Sequence, residues 1–149
     1  MKDCDPQPLL KRHDQGPDAR LVLNSPQNFN ALSAEMIATL YTTLATVSAE
    51  ENVRTIIIAA NGKAFSAGHD LRQMQAARAN RDRGRAGFAA LFEGCGQVMQ
   101  LISSLSQPVI AERNGIQPMH SHTTPIINKG QINAATSIVI NKATRYKTI

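Results

Sequence analysis

Apolar residues recur along this chain in two rhythms, one of helical spacing and one of strands. Between Ala34 and Ser48, Met36, Ile37, Leu40, Leu44 and Val47 fall three or four residues apart, so one face is apolar and an amphipathic helix is predicted over Ala34–Ser48. Ser33 precedes it as a good N-cap. The same interval governs Phe88, Leu91, Phe92, Cys95, Val98, Met99 and Ile102, which predicts a second long helix over 88–103. Leu9-Leu10-Lys11-Arg12 and the alternating Ala19-Arg20-Leu21-Val22-Leu23 flank a turn at Asp14-Gln15-Gly16-Pro17 and predict a hairpin. The β-branched run Thr55-Ile56-Ile57-Ile58, within 53–60, suits a strand buried on both faces. Pro108-Val109-Ile110-Ala111 predicts a further strand, ending at Asn114-Gly115.

The connections are as informative. Asn24-Ser25-Pro26-Gln27-Asn28 is a turn-rich loop, and small residues from Lys63 to Leu71 lead into a short helix near Met74. The stretch 76–87 holds Ala, Arg, Asn, Asp and Gly without a period and is expected to be a loop. The resulting order, strand, strand, helix, strand, loop, helix, strand, predicts an α/β layered domain.

Length and charge narrow the possibilities. At 149 residues the chain has room for one ordinary domain. No apolar run approaches the roughly 18 residues of a membrane span, so no membrane partner is expected. Met1-Lys2-Asp3-Cys4-Asp5-Pro6 lacks both the apolar stretch of a secretory signal and the Arg- and Ser-rich character of a transit peptide. A cytoplasmic location is expected, with the mitochondrial matrix as the alternative. Cys4 and Cys95 are isolated, and His120-Ser121-His122 has no third ligand nearby, so neither a disulfide framework nor a metal site is expected.

The net charge of +5 raises a nucleic-acid partner. Four of those charges, however, sit on Lys129, Lys142, Arg145 and Lys147 in a tail without Asp or Glu. The main body is nearly neutral and lacks interleaved aromatic and basic residues, so no nucleic-acid partner is expected. Its one cationic cluster, Arg78, Arg81, Arg83 and Arg85, is expected on a solvated, mobile loop.

Past Gly115 the acids vanish, Lys overtakes Arg, and Thr, Asn and Ile become common. Three segments follow: 1–17 as leader and first strand, 18–115 as the core, and 116–149 as a divergent tail.

Three motifs in the core carry a resemblance. Leu23-Asn24-Ser25-Pro26 through Asn30-Ala31-Leu32-Ser33 is similar to the L-N-x-P…N-A-L of the crotonase (enoyl-CoA hydratase/isomerase) family. Phe65-Ser66-Ala67-Gly68-His69-Asp70-Leu71 resembles its F-x-A-G-x-D-L/I loop, and Gln107-Pro108-Val109-Ile110-Ala111 with Asn114-Gly115 resembles its x-P-V-I-A-x-x-N-G. The resemblance covers roughly residues 18–115. It implies part of a crotonase-like spiral of ββα units and a coenzyme A thioester as ligand, with no permanently bound cofactor.

The resemblance also assigns roles in the loop. The backbone N–H of His69 becomes the first oxyanion-hole donor, a preorganised dipole aimed at the charge that develops on a thioester oxygen. Gly68 permits the turn, Ala67 offers its backbone to the adenine, and Asp70, Leu71 and Arg72 lie with the coenzyme A, Arg72 near its phosphates. The unperturbed pKa of histidine lies near neutrality, so His69 invites a catalytic reading, but the family assigns only the backbone of this position.

The family pattern stops after Gly115. His120 stands where the second oxyanion glycine belongs and Thr123 where the first catalytic glutamate belongs, while the second glutamate would fall near Ala143. The family's C-terminal helices, which build its homotrimer and cover the acyl pocket, have no counterpart. The expectation is a truncated or frame-shifted member that binds acyl-CoA, is inactive as an enzyme and is doubtful as a trimer. A non-catalytic acyl-CoA-binding module is the alternative.

Overall fold

A computed structural model describes residues 7–112. Strand β1 (Leu10–Gln15) and strand β2 (Asp18–Leu23) form an antiparallel hairpin, with Leu10 opposite Leu23 and Gln15 opposite Asp18. Gly16 turns the chain with φ 61, a region that glycine enters freely. β1 runs three residues past the expected end at Arg12, because ladder hydrogen bonds use backbone groups whatever the side chain. Arg12 holds the hairpin at its outer edge by donating to both Asp14 and Glu50, and it draws both carboxyls below their usual range.

Helix α1 (Ala34–Ser48) then crosses to strand β3 (Thr55–Ala60), which pairs parallel with β2, Leu21 lying opposite Ile58. The Ser33 hydroxyl accepts the Met36 N–H at 3.2 Å and caps α1 at the predicted residue. Helix α2 (Leu71–Ala77) and helix α3 (Arg85–Ser104) lead to strand β4 (Val109–Ala111), parallel to β3. The sheet order is β1-β2-β3-β4.

The core lies on one face of this sheet. Ala19, Leu21 and Leu23 alternate onto it from β2, Ile56 and Ile58 from β3, and Val109 from β4. α1 covers them with Met36, Ile37, Leu40, Leu44 and Val47, and α3 with Leu91, Cys95 and Val98. A Cβ on Gly94 would sit 3.2 Å from the Cγ2 of Ile37, so the missing side chain lets the two helices approach closely.

Two sequence expectations need correction. Burial of β3 on both faces is only partial, since Thr55 and Ile57 are half-buried while Ile56 and Ile58 are buried. Among the described residues the helices cover one face; over the other, Arg20 of β2 reaches past β3 to a bidentate pairing with Glu112. The stretch 76–87 is not an aperiodic loop either. α2 runs to Ala77, and hydrogen-bonded turns carry the chain to Arg85. The carboxylate of Asp82 accepts the N–H groups of Gly84 at 3.0 Å and Ala86 at 2.8 Å. α3 therefore starts three residues before its first apolar position.

Among the described residues no helix is long and apolar enough to cross a membrane, and no group of His, Cys, Asp or Glu is placed to hold a metal. The leader with Cys4, the Asn114-Gly115 pair, His120-Ser121-His122, Thr123 and the rest of the 116–149 tail lie outside the described residues.

Two outcomes follow. Leu44 is fully buried at the centre of the core, so Leu44→Ala should cost about 2–5 kcal/mol in urea unfolding. A loss within ~0.5 kcal/mol, as at an ordinary surface site, would show that α1 does not seat on the sheet. The second outcome concerns pH. Hydrogen bonds from the Ala86 and Gly84 amides hold the Asp82 carboxyl below the usual carboxylate range. A group whose pKa is lowered on folding stabilises above its unfolded value, about 3.9, and loses that contribution as pH falls through the folded value. Hydrogen-exchange protection at Gly84 and Ala86 should therefore drop on acidification before that of α1. Asp82→Asn should remove this pH dependence.

Candidate functional site

The site is built where β2 and β3 end side by side. After Leu23, Asn24 donates from its side chain to the Pro8 carbonyl, and Asn61 reaches back to the Asn24 side chain and to the Leu23 carbonyl. A short 3-10 turn at Pro26–Asn28 follows. A Cβ on Gly62 would lie 2.7 Å from the Cβ of Pro26, so this crossing requires glycine. Phe29 and Asn30 then take φ values of 52 and 51, a left-handed conformation that a short polar side chain tolerates best.

Asn30 is 0% exposed, and all of its polar side-chain atoms are engaged. Its Oδ1 accepts the Ser25 N–H, and its Nδ2 donates to the carbonyls of Asn61 and Ala64, each at 2.8 Å. One side chain thus joins the loop after β2 to the loop after β3. The next layer is backbone. Ser66 Oγ donates to the Asn30 carbonyl and accepts the Gly68 N–H. Ala67 N–H donates to Phe29 O, Leu32 N–H to Gly68 O, and Asp70 N–H to Leu32 O. Leu32 and His69 form a parallel bridge. The segment 66–70 is therefore laced to 29–32 along its length.

The expected site residues come together at this junction. Ala67 is exposed, and Gly68 holds φ 88 with open space where a Cβ would be, so its requirement is conformational and not steric. The amides of Ala67, Gly68 and Asp70 donate inside the protein. His69 is half-buried, and its ring lies 5.0 Å from that of Phe92 on α3. Asp70 is the N-cap of α2, its carboxylate accepting from the N–H groups of Arg72 and Gln73. Leu71 is 75% exposed. Arg72 is exposed, with no ion pair among the described residues.

Two contributors were not evident from sequence. Phe92 was counted into the stripe of α3, yet it is 54% exposed and faces the His69 ring. Asn30 stood in a motif without a physical role. Its signal, a left-handed asparagine between two strand ends, exists only once those ends are neighbours.

Comparison with known proteins converges on one family. Residues 19–117 match the family described as enoyl-CoA hydratase/isomerase. The Xenopus laevis protein named enoyl-CoA hydratase domain-containing protein 3, mitochondrial, is 39% identical over 97 residues, which are 65% of this chain and 31% of that protein. Its human namesake is 33% identical over 115 residues, 77% of this chain and 36% of that protein. Among solved structures, an enoyl-CoA hydratase of Mycobacterium smegmatis aligns with a TM-score of 0.65 at 44% identity, covering 72% of this chain and 40% of that one. Human enoyl-CoA hydratase domain-containing protein 3 aligns with a TM-score of 0.64 at 30% identity, covering 72% and 41%. This chain spans about a third of the length of these curated relatives.

Replacing Asn30 by Ala leaves the buried Ser25 amide and the Asn61 and Ala64 carbonyls without this partner. Each unsatisfied group costs about 1–3 kcal/mol, so Asn30→Ala should lose at least ~2 kcal/mol in urea unfolding. Asn30→Asp should also destabilise, because a carboxylate oxygen would face the Asn61 and Ala64 carbonyls. Wild-type stability in both variants would remove Asn30 from its place as the joint of the site.

Proposed function

The chain belongs to the enoyl-CoA hydratase/isomerase family, and from that premise we propose that it binds coenzyme A thioesters at residues 66–72 without hydrating them. One observation carries the reading: the lacing of 66–70 to 29–32, which holds the His69 backbone in place behind a left-handed Gly68. A thioester oxygen that gains negative charge needs a donor fixed beforehand, since a donor that must reorganise loses most of its effect. The surroundings suit the rest of the ligand. Leu71 and Phe92 offer apolar surface to an acyl chain, the exposed Ala67 lets a base approach the backbone, and Arg72 is a free-standing cation for phosphate among the described residues.

Hydration asks for more than an oxyanion donor. It needs a base to activate water and an acid to protonate carbon, roles played by carboxylates in this chemistry. Asp70 is committed to two helix amides. Glu112, the last carboxylate of the chain, is held by Arg20. His120 and Thr123 stand at the positions that the family pattern gives to glycine and glutamate. Binding without turnover is the activity that these residues support. The frog and human relatives are named mitochondrial, which favours the mitochondrial matrix over the cytoplasm as the compartment.

Calorimetric titration with coenzyme A and crotonyl-CoA tests the binding half. Saturable binding is expected; Gly68→Val should abolish it, and Arg72→Glu should weaken it about tenfold or more. The absorbance of crotonyl-CoA should decay no faster with the chain than in buffer. Absence of binding to either compound would sink the proposal, and saturable turnover lost in Gly68→Val would show an acid–base pair among the residues dismissed above.

A further inference from the structure

A cleft of about 500 Å³ opens between α1, α2 and α3, within the roughly 300–1,000 Å³ range of small-molecule sites. Ile37 and Tyr41 of α1, Met74 and Ala77 of α2, and Phe88 and Leu91 of α3 form most of its wall. Its polar lining residues, Thr42, Gln73 and Gln97, are neutral, and no Asp, Glu, Lys or Arg lines it. Ala38 on α1 and Ala90 on α3 are small lining positions, while Gly87 and Gly94 let α3 come close to Ala77 and Ile37. α2 separates this cleft from the thioester site, since Met74 and Ala77 line the cleft while Leu71 and Arg72 do not.

The arginine turn begins and ends at the rim of this cleft. Ala77, a lining residue, precedes Arg78, and Gly87, another, follows Arg85 by two positions. Arg78, Arg81, Arg83 and Arg85 are all exposed, and none is in an ion pair among the described residues. The one acid of the turn, Asp82, is tied to the Gly84 and Ala86 amides. Backbone bonds from Asn80 N–H to Ala77 O and from Arg83 N–H to Asn80 O give the turn a defined shape. A neutral apolar cleft whose edge leads at Ala77 and Gly87 into a turn of four cations is complementary to an apolar body with an acidic end. Charge disfavours two other occupants. The 116–149 tail carries four cations and no acid, and a second copy would bring an identical cationic turn.

We propose that the cleft between α1, α2 and α3 binds a single-chain anionic amphiphile, such as a free fatty acid, with its tail between the helices and its acidic head on the Arg78–Arg85 turn. The site is separate from the thioester loop and stands or falls independently of it.

The test titrates the full chain with a fluorescent polyene fatty acid below its micelle threshold and displaces that probe with dodecanoate. Saturable binding and displacement are expected, with dodecanol competing poorly. Ala38→Trp, which fills the cleft from an exposed helix position, and the double variant Arg81→Glu with Arg83→Glu should each weaken binding about tenfold or more. Circular-dichroism melts and coenzyme A titration should be unchanged in both. Undiminished affinity in either variant overturns the proposal, as does equal competition by dodecanol. Displacement of the probe by coenzyme A, with loss of probe binding in Arg72→Glu, would place the fatty acid at the thioester loop instead. Co-sedimentation with phosphatidylglycerol vesicles without binding of the monomeric probe would make the turn a membrane contact and likewise overturn it.

Discussion

The buried side chain of Asn30 is the constraint on which the rest of the site depends. It is held by the ends of two parallel strands, and it pairs with the buried Ser25 amide and with the carbonyls of Asn61 and Ala64. Because its own backbone carbonyl then receives Ser66, the position of the 66–70 segment follows from the pairing of β2 with β3. The sheet and the site are therefore one piece of engineering: a shift in strand register would move Asn61 and Ala64 away from Asn30 and release the loop. Such fully satisfied buried polar groups specify a single arrangement, since any other leaves them unpaired at high cost.

The packing is one-sided, and this shapes what the surface offers. α1 and α3 bury one face of the sheet, while the other has half-buried Val22, Ile57 and Ile110 beside the Arg20–Glu112 pair. That pair is about one-third exposed on each side, so solvent screens it and its contribution to stability is modest. Leu71, Phe92 and Met99 remain exposed in a chain that spans two-fifths of its solved relatives. Under the proposed function, the apolar surface beside the His69 loop meets the acyl chain. Apolar surface between α1, α2 and α3 forms a separate cleft.

Charge is organised locally and not globally. The Arg12–Asp14–Glu50 cluster neutralises itself at the hairpin edge. Asp82 keeps its negative charge, its carboxylate fixed by two amides rather than by an arginine. A turn that is nearly balanced in composition would have been inert. Four cations against one acid leave this turn with an excess of positive charge.

Sequence by itself determined the elements whose cause is local. The α1 and α3 stripes, the Ser33 cap, the hairpin and the order of strands all follow from short-range periodicity and turn chemistry, and Gly68 was placed by its motif. Tertiary structure alone decided how those elements are used. Sheet order, the half-buried second face of β3 and the closeness of Gly94 to Ile37 depend on contacts between residues far apart in the chain. The capping of α2 by Asp70 and of the 78–85 turn by Asp82 had local sequence signals, but a carboxylate has several possible partners until the backbone fixes which amides face it. The role of Asn30 was illegible for the strongest reason. Its hydrogen-bond partners at 61 and 64 are more than thirty residues away, and only the parallel pairing of β2 and β3 brings them within reach.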